Sequence, residues 1–521
     1  MKFRDYLRSS SAFSRDGTNI ISLSILLLWL SIVVFVALNH EIWRDEAHSL
    51  YVALSADSLW QLPIAVRNEG HPILWFVVLW LAYFLVEAPV VLQVVSIIVG
   101  FSSVVLFFRF SPFSVWFKIL FIFSFLPFYE YTIMARNYGI SMLFFFLFAI
   151  LYPQKKEKPY LLALVLFALA NTNVHSAIFV CLLALYWVKE AVFVDKNSTM
   201  NTCGNQPLLF PLFIVSLGVL IAFVTVIPDR NSIVMQASTI SIASLFSSLL
   251  QTILHPGYTF NEIFVGFPGI VRDLLIWVFA AGLLIRPMAA LLLLVGAIAL
   301  GGFFSIGYSG VLRHQGIFFL YVLTLYWITL FDIRARVDFV SFKTRLFKIV
   351  LYGVIPFVLF VHIVGSYKYI VRDVTKEMSS NKSFGQFLHD HEQYHDAIIM
   401  GEPDIRLESL PYYADNRIFV PRINRYENYI KLIRENKQEL SLGELLALAK
   451  SVKEKENKTV LIALGHLGLS DQGPPFVRIE QYGRKFTWSL QELKEFNENT
   501  VKIAEFKKDV KNERYEIYQL K

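Results

Sequence analysis

The sequence predicts a polytopic α-helical membrane protein that ends in a water-soluble α/β domain. Three observations predict it. Of 521 residues, 55% are hydrophobic and only 17% are charged, whereas soluble domains carry about 25% charge. Apolar runs of spanning length recur up to Gly365 and none follows. From Tyr367 to Lys521 there are 25 basic and 24 acidic residues, against 23 and 17 in all that precedes. An ordinary soluble enzyme, a disordered chain and a fibrous repeat are excluded. The expected division is therefore a membrane domain over 1–366 and a soluble domain over 367–521.

The first run, Ile20 to Leu38, exceeds a signal-peptide core of about 7–15 residues and lacks a small-residue cleavage site. It reads as the first span. Others are expected near 90–108, 116–134, 138–152, 159–173, 175–191, 208–227, 264–285, 288–306, 314–331 and 348–366, which makes about 11 in all. The apolar stretch Pro72–Val86 is short. Cytoplasmic loops are rich in Lys and Arg. Lys2, Arg4, Arg8 and Arg15, Arg109 with Lys118, Lys155 with Lys156 and Lys158, Lys189 with Lys196, Arg286, and Arg334 through Lys348 alternate correctly only if Pro72–Val86 does not cross. That stretch is then a juxtamembrane or re-entrant helix on the outer face. The N-terminus is cytoplasmic and the C-terminal domain extracytoplasmic, in a plasma or inner membrane.

Six basic residues fall on the wrong side: Arg44, Arg67, Arg136, Arg230, Arg272 and Arg313. Ionisable groups at a membrane edge are costly unless paired or functional. Several lie in polar clusters at the same boundary. Glu41 to Tyr51 holds three carboxylates, Arg44 and His48 directly after the first span. A carboxylate there is either a solvated cap or a general base. Arg67-Asn-Glu69-Gly-His71-Pro72 opens the short helix. Glu130 and Arg136 interrupt apolar sequence, either as an ion pair or with Arg136 holding a phosphate. Asn171 to His175 and Arg313-His314-Gln315 complete the set. His175 reads first as a structural histidine and Arg313 as a snorkelling anchor. What carries weight is that one topology puts them all on one face.

In the tail, Ala397–Met400 and Thr459–Ala463 read as short buried strands and Tyr429–Lys450 as mainly helical. Val501–Phe506 and Tyr515–Leu520 read as paired strands. The two cysteines, Cys181 and Cys203, make neither a disulfide framework nor a metal site. No Walker loop, dinucleotide fingerprint or zinc motif occurs, so no nucleotide site is indicated. The basic residues belong mainly to membrane loops, so nucleic acid is not an expected partner.

Together these motifs resemble the GT-C glycosyltransferases that use polyprenyl-phosphate sugars, in the branch of protein O-mannosyltransferases and lipid A aminoarabinose transferases. The resemblance rests on Arg44-Asp45-Glu46-Ala47 after the first span, and on His71-Pro72-Ile73-Leu74, with Ile where a second Pro is usual. It continues in Pro127, Tyr129, Tyr131 and Ala135-Arg136-Asn137-Tyr138, and covers roughly residues 20–190. It implies a GT-C fold and a polyprenyl-phosphate sugar donor in the membrane. Asp45 would be the base for an acceptor hydroxyl on a lipid, glycan or protein, with inversion, and Glu46 would orient neighbouring groups. Arg136, Tyr138, Arg313 and His314 would hold the donor phosphate, and Arg44, Glu69, His71 and His175 would shape the acceptor side. Some relatives carry a second acidic residue where this chain has Arg136-Asn137. Its absence argues against a tightly held divalent cation and no cofactor is expected, although Glu130 as a substitute for that acid leaves a divalent cation open. Two other readings stay open. A polysaccharide polymerase or glycan ligase would use the outer arginines without the Asp45-Glu46 motif. A lipid or ion transporter would more naturally place charge at mid-membrane and show repeated halves.

Overall fold

The computed structural model describes residues 17–194, 208–233, 242–306, 310–336, 341–507 and 510–521. Lys2, Arg4, Arg8, Arg15, Lys196 and Cys203 lie outside them. The chain enters through α1 (Gly17–Asn39), apolar almost throughout. Ile20, Leu23, Leu27, Leu28, Phe35 and Leu38 point outward and are exposed. In water so large an apolar face is a liability, whereas against hydrocarbon it is the stable arrangement. After α2 (Arg44–Leu54) come α3 (Leu74–Val86) and α4 (Val91–Phe110). Then α5 (Val115–Ile122) continues through a π-helical stretch, Leu126–Ile133, and the chain folds back into α6 (Tyr138–Leu151). The arms Val115–Ile133 and Tyr138–Gln154 are bent by 119°. Residues 134–137 form the tip of this V.

The bundle continues through α7 (Pro159–Ala170), α8 (Val174–Val194), α9 (Leu209–Val226), α10 (Ile242–Leu254), α11 (Gly269–Gly282), α12 (Pro287–Ile306) and α13 (Leu312–Arg336). After α14 (Phe342–Ile349), α15 (Ile355–Thr375) runs past the expected limit at 366, and α16 (Ser380–Asp390) follows. Among the described residues seven helices are long and apolar enough to cross a membrane, or eight if the bent pair counts as one span. The protein is thus a membrane-embedded helical bundle with a sheet-containing C-terminal region. Every expected span falls on helix, but not every one reaches spanning length. At 1.5 Å per residue, the 12 residues of α7 and the 14 of α11 give roughly 18 and 21 Å, short of the hydrocarbon core of about 30 Å. An apolar window counts residues beyond a helix end, here the polar Asn171-Thr172-Asn173 that stops α7.

The core is built around α13, whose apolar window is 89% buried, against 22% for α1. Two glycines let its neighbours close on the π-helical arm. A Cβ at Gly139 would stand 2.2 Å from the Tyr131 carbonyl oxygen, and one at Gly316 would stand 2.3 Å from the Tyr131 hydroxyl. That approach lets Tyr131 donate a 2.9 Å hydrogen bond to the Arg313 carbonyl.

The C-terminal region carries two sheets. The larger has the order β3-β2-β1-β5-β9-β8, from β1 (Ile398–Glu402), β2 (Ile418–Val420), β3 (Arg425–Tyr426), β5 (Val460–Leu464), β8 (Thr500–Phe506) and β9 (Tyr515–Leu520). Its centre, β1 beside β5, is parallel and fully buried, which is why both read as continuous apolar runs. The smaller sheet joins β4 (Glu439–Ser441), β7 (Lys485–Thr487) and β6 (Val477–Ile479). Helices α17 (Leu442–Glu456) and α18 (Leu490–Asn499) pack on one another. The helix expected over Tyr429–Lys450 starts only at Leu442. Ser441 and Glu444 form a capping box there, and this Ser-x-x-Glu signature marks the true start.

Replacing Gly139 by Ala forces the Tyr131 backbone to move, at a cost of about 1–3 kcal/mol. The melting temperature in detergent should fall. Gly365 has open space around it, so Gly365→Ala should be neutral or stabilising. Equal melting temperatures for the two variants would contradict the close approach at Tyr131.

Candidate active site

Three helix ends meet at Asp45. The first is the start of α2, the second the tip at 134–137, and the third the first turn of α13. One carboxylate oxygen, Oδ2, accepts from Arg136 Nη1 at 2.7 Å and from Arg313 Nη2 at 3.4 Å. The other, Oδ1, faces Arg44 Nε at 3.5 Å. The Nε groups of Arg136 and Arg313 are buried without a hydrogen-bond partner. Buried donors are normally satisfied, so two guanidiniums on one oxygen with donors left over form a place for a further anion. Arg136 pairs with Asp45 and not with Glu130. Burial alone would push the Asp45 carboxyl up, yet the guanidiniums of Arg136, Arg313 and Arg44 hold it well below the usual carboxylate range.

Glu46 is fully buried and fully engaged. It accepts from the Ala135 amide at 2.7 Å and meets His40 Nε2 at 3.0 Å. His40 Nδ1 reaches Asp373 of α15 at 2.8 Å. Burial opposes a charge on His40, but Glu46 and Asp373 push its pKa up to about 10. Glu46 therefore ties the tip to α2 and sets the position of Arg136 relative to Asp45.

The other expected residues lie around this centre in different ways. Tyr138 stacks on Tyr131 and lies 5.5 Å from the His314 ring. His314 stacks on His175 at 4.9 Å, and His175 meets Phe303 and Phe304. These aromatic rings stand together beside Arg313. Burial, followed by the nearby charges of Arg136, His175 and Arg313, pushes His71 down to about 3, so it is neutral at physiological pH. Glu69 does not reach Asp45. It is held by His48 Nε2 at 2.5 Å.

The C-terminal region supplies residues for which the sequence carried no signal. His48 Nδ1 reaches Glu408 at 3.1 Å, so one imidazole clamps Glu69 to the C-terminal region. The Arg44 amide donates to Glu513 at 3.0 Å. Lys511 sits over the Trp43 ring at 3.8 Å. Its charge feels Glu130, Glu46 and Asp45, while burial lowers its pKa. Glu41 accepts from the Met378 and Ser379 amides at 2.6 and 3.1 Å. Glu41, Arg44 and His48 stand inside a stretch already singled out, whereas Glu408, Lys511 and Glu513 do not. The latter three lie where charge is ordinary.

Among the described residues one group has metal-ligand geometry: Glu402, His466 and Glu480 in the C-terminal region. The donor set does not fit a dication. Arg422 holds Glu402 at 2.5 and 3.1 Å and Glu480 at 3.3 Å, and Arg484 holds Glu480 at 3.0 Å. Two guanidiniums already neutralise these carboxylates, so the group is a buried ion-pair network. In comparisons with known proteins, no protein-family model and no curated protein matches the chain.

The His48 clamp has a pH signature. Burial opposes its charge, but Glu408 and Glu69 raise its pKa well above the ordinary 6.5. A raised base stabilises fully below about 6.5 and loses that contribution as pH rises through the raised value. His48→Gln should therefore lower the melting temperature most near neutral and mildly acidic pH, with the deficit narrowing in alkali. A deficit independent of pH would show that the clamp is not ionic.

Proposed function

We propose that this protein is an inverting glycosyltransferase of the membrane, moving a sugar from a polyprenyl-phosphate donor to an acceptor hydroxyl. The observation that carries this reading is Asp45 shared by Arg136 and Arg313 while both keep an unused buried Nε. The resemblance of the 20–190 region to polyprenyl-phosphate-dependent enzymes points the same way. The partners are the lipid-phosphate donor, a lipid, glycan or protein acceptor, and membrane lipid. No cofactor enters the scheme.

Asp45 holds the two guanidiniums that the donor phosphate would engage. When the phosphate binds, it takes up the two guanidiniums. Asp45 loses part of their pull and its pKa rises toward that of a working base. The carboxylate then accepts the acceptor's hydroxyl proton. The oxygen attacks the anomeric carbon as the bond from that carbon to the phosphate oxygen breaks. The phosphate leaves with the bonding pair, stabilised by Arg136 and Arg313, and configuration inverts. The leaving group is already anionic, so positioning and cationic stabilisation matter more than acid catalysis. Glu46 orients the tip and is not the base.

The charge-derived orientation is part of the proposal: N-terminus cytoplasmic, Asp45 and the C-terminal region outside. Arg313 and Asp332 stand at opposite ends of α13, about 29 Å apart along the helix. Asp332 pairs with Arg286, and Lys155 pairs with Glu190. These ion pairs gather at the end away from Asp45, which supports placing the basic loops on one side. Charges at span ends rather than at mid-membrane weigh against a transporter.

Asp45→Asn should cut transfer by about 10²–10⁴ while donor binding persists; near-normal turnover would refute the mechanism. Arg136→Gln and Arg313→Gln should each weaken polyprenyl-phosphate binding roughly tenfold or more, since a hydrogen bond to a charged group contributes about 1.5–3 kcal/mol. Unchanged affinity in both would remove them from the phosphate site. In a cysteine-free background, Lys158→Cys and Lys455→Cys should be labelled from opposite sides of the membrane. Same-side labelling would overturn the orientation.

A further inference from the structure

Arg44 faces a second space. A cavity of about 610 Å³ opens between the start of α2 and the C-terminal region. Five cations line it: Arg44, Arg406, Arg478, Lys511 and Arg514. Its two acids are already engaged. Glu480 meets Arg422, Arg484 and His466 at 3.3, 3.0 and 3.0 Å. Glu513 accepts from the Arg44 amide, the Ser379 hydroxyl and Asn381. The cavity is therefore strongly cationic, and its size is that of a small-ligand site, about 300–1,000 Å³.

Its placement gives it a role. The two oxygens of Asp45 look in different directions: Oδ2 toward Arg136 and Arg313, Oδ1 toward Arg44, which lines the cavity. Arg44 thus links the cavity to the oxygen that the donor-side arginines do not use. We propose that this cavity binds a phosphate group carried by the acceptor and so presents a neighbouring hydroxyl to Asp45 Oδ1. A phosphate, with up to two charges and three acceptor oxygens, matches several guanidinium and ammonium donors at once. The word acceptor rests on the transferase reading, while the phosphate site itself does not. Arg44 belongs to the membrane half and the other four cations to the C-terminal region, so the site exists only when the two are docked.

The test uses the full-length protein in detergent with the donor site filled by saturating undecaprenyl phosphate, and titrates inorganic phosphate by calorimetry. Wild type should bind. Arg478→Glu, and separately Arg406→Gln with Arg478→Gln, should weaken phosphate binding at least tenfold while undecaprenyl-phosphate affinity stays unchanged. Arg478 lies on β6 in the smaller sheet, so its single variant guards against misfolding of the double one. Phosphate affinity that is the same in wild type and both variants would overturn the proposal. A parallel loss of undecaprenyl-phosphate affinity would overturn it too, by assigning the cavity to the donor. Nanodiscs of phosphatidylcholine with and without phosphatidic acid separate the sources. Displacement of phosphate only by phosphatidic acid supports the site and makes the acceptor a lipid headgroup; no displacement supports it with a water-soluble phosphate compound. Should wild type show no sugar transfer while these affinities hold, the transferase reading falls and the phosphate site stands.

Discussion

Three guanidiniums around one carboxylate set the terms for the rest of this protein. Arg44, Arg136 and Arg313 come from three separate helix ends, and all three meet Asp45. At the edge of an apolar bundle such an excess of positive charge is costly unless an anion completes it. The same arrangement keeps Asp45 ionised and weakly basic until something else takes the arginines. On the proposed reading, charge couples occupancy of the donor side to the readiness of the base.

The surrounding structure holds that geometry. The Glu46 carboxylate bonds the Ala135 amide and, through His40, Asp373 of α15. The tip that carries Arg136 is therefore fixed to α2 and to the helix that leads into the C-terminal region. Gly139 and Gly316 allow α6 and α13 to close on Tyr131, which brings Arg313 to the same carboxylate. From the other side, Glu408, Glu513 and Lys511 fasten the C-terminal region to the loop around Asp45. The C-terminal region therefore lies against the centre of charge.

The membrane character and the candidate centre were legible in the sequence for one physical reason. Charge is conspicuous in apolar segments. Arg44, Arg136 and Arg313 stood on the wrong side of a charge-derived topology, and the structure brings these three together at Asp45. The converse explains what was missed. Lys511, Glu513 and Glu408 lie in a tail where charged residues abound, and their partners are hundreds of positions away; the bond between Arg44 and Glu513 spans 469 residues. Span lengths were overestimated where an apolar window ran beyond a helix end, as at α7. The helix expected from Tyr429 begins at Leu442, where the Ser441–Glu444 cap fixes its first turn. Glu69, expected to shape the acceptor side, is held by His48 beside the docking face.

The most direct measurement is a cryo-electron microscopy structure with undecaprenyl phosphate bound. The phosphate should lie within hydrogen-bond distance of both Arg136 and Arg313, and the 2.7 Å contact between Arg136 and Asp45 should lengthen as the carboxylate is released. A phosphate bound elsewhere, with Asp45 still held by both arginines, would contradict the account.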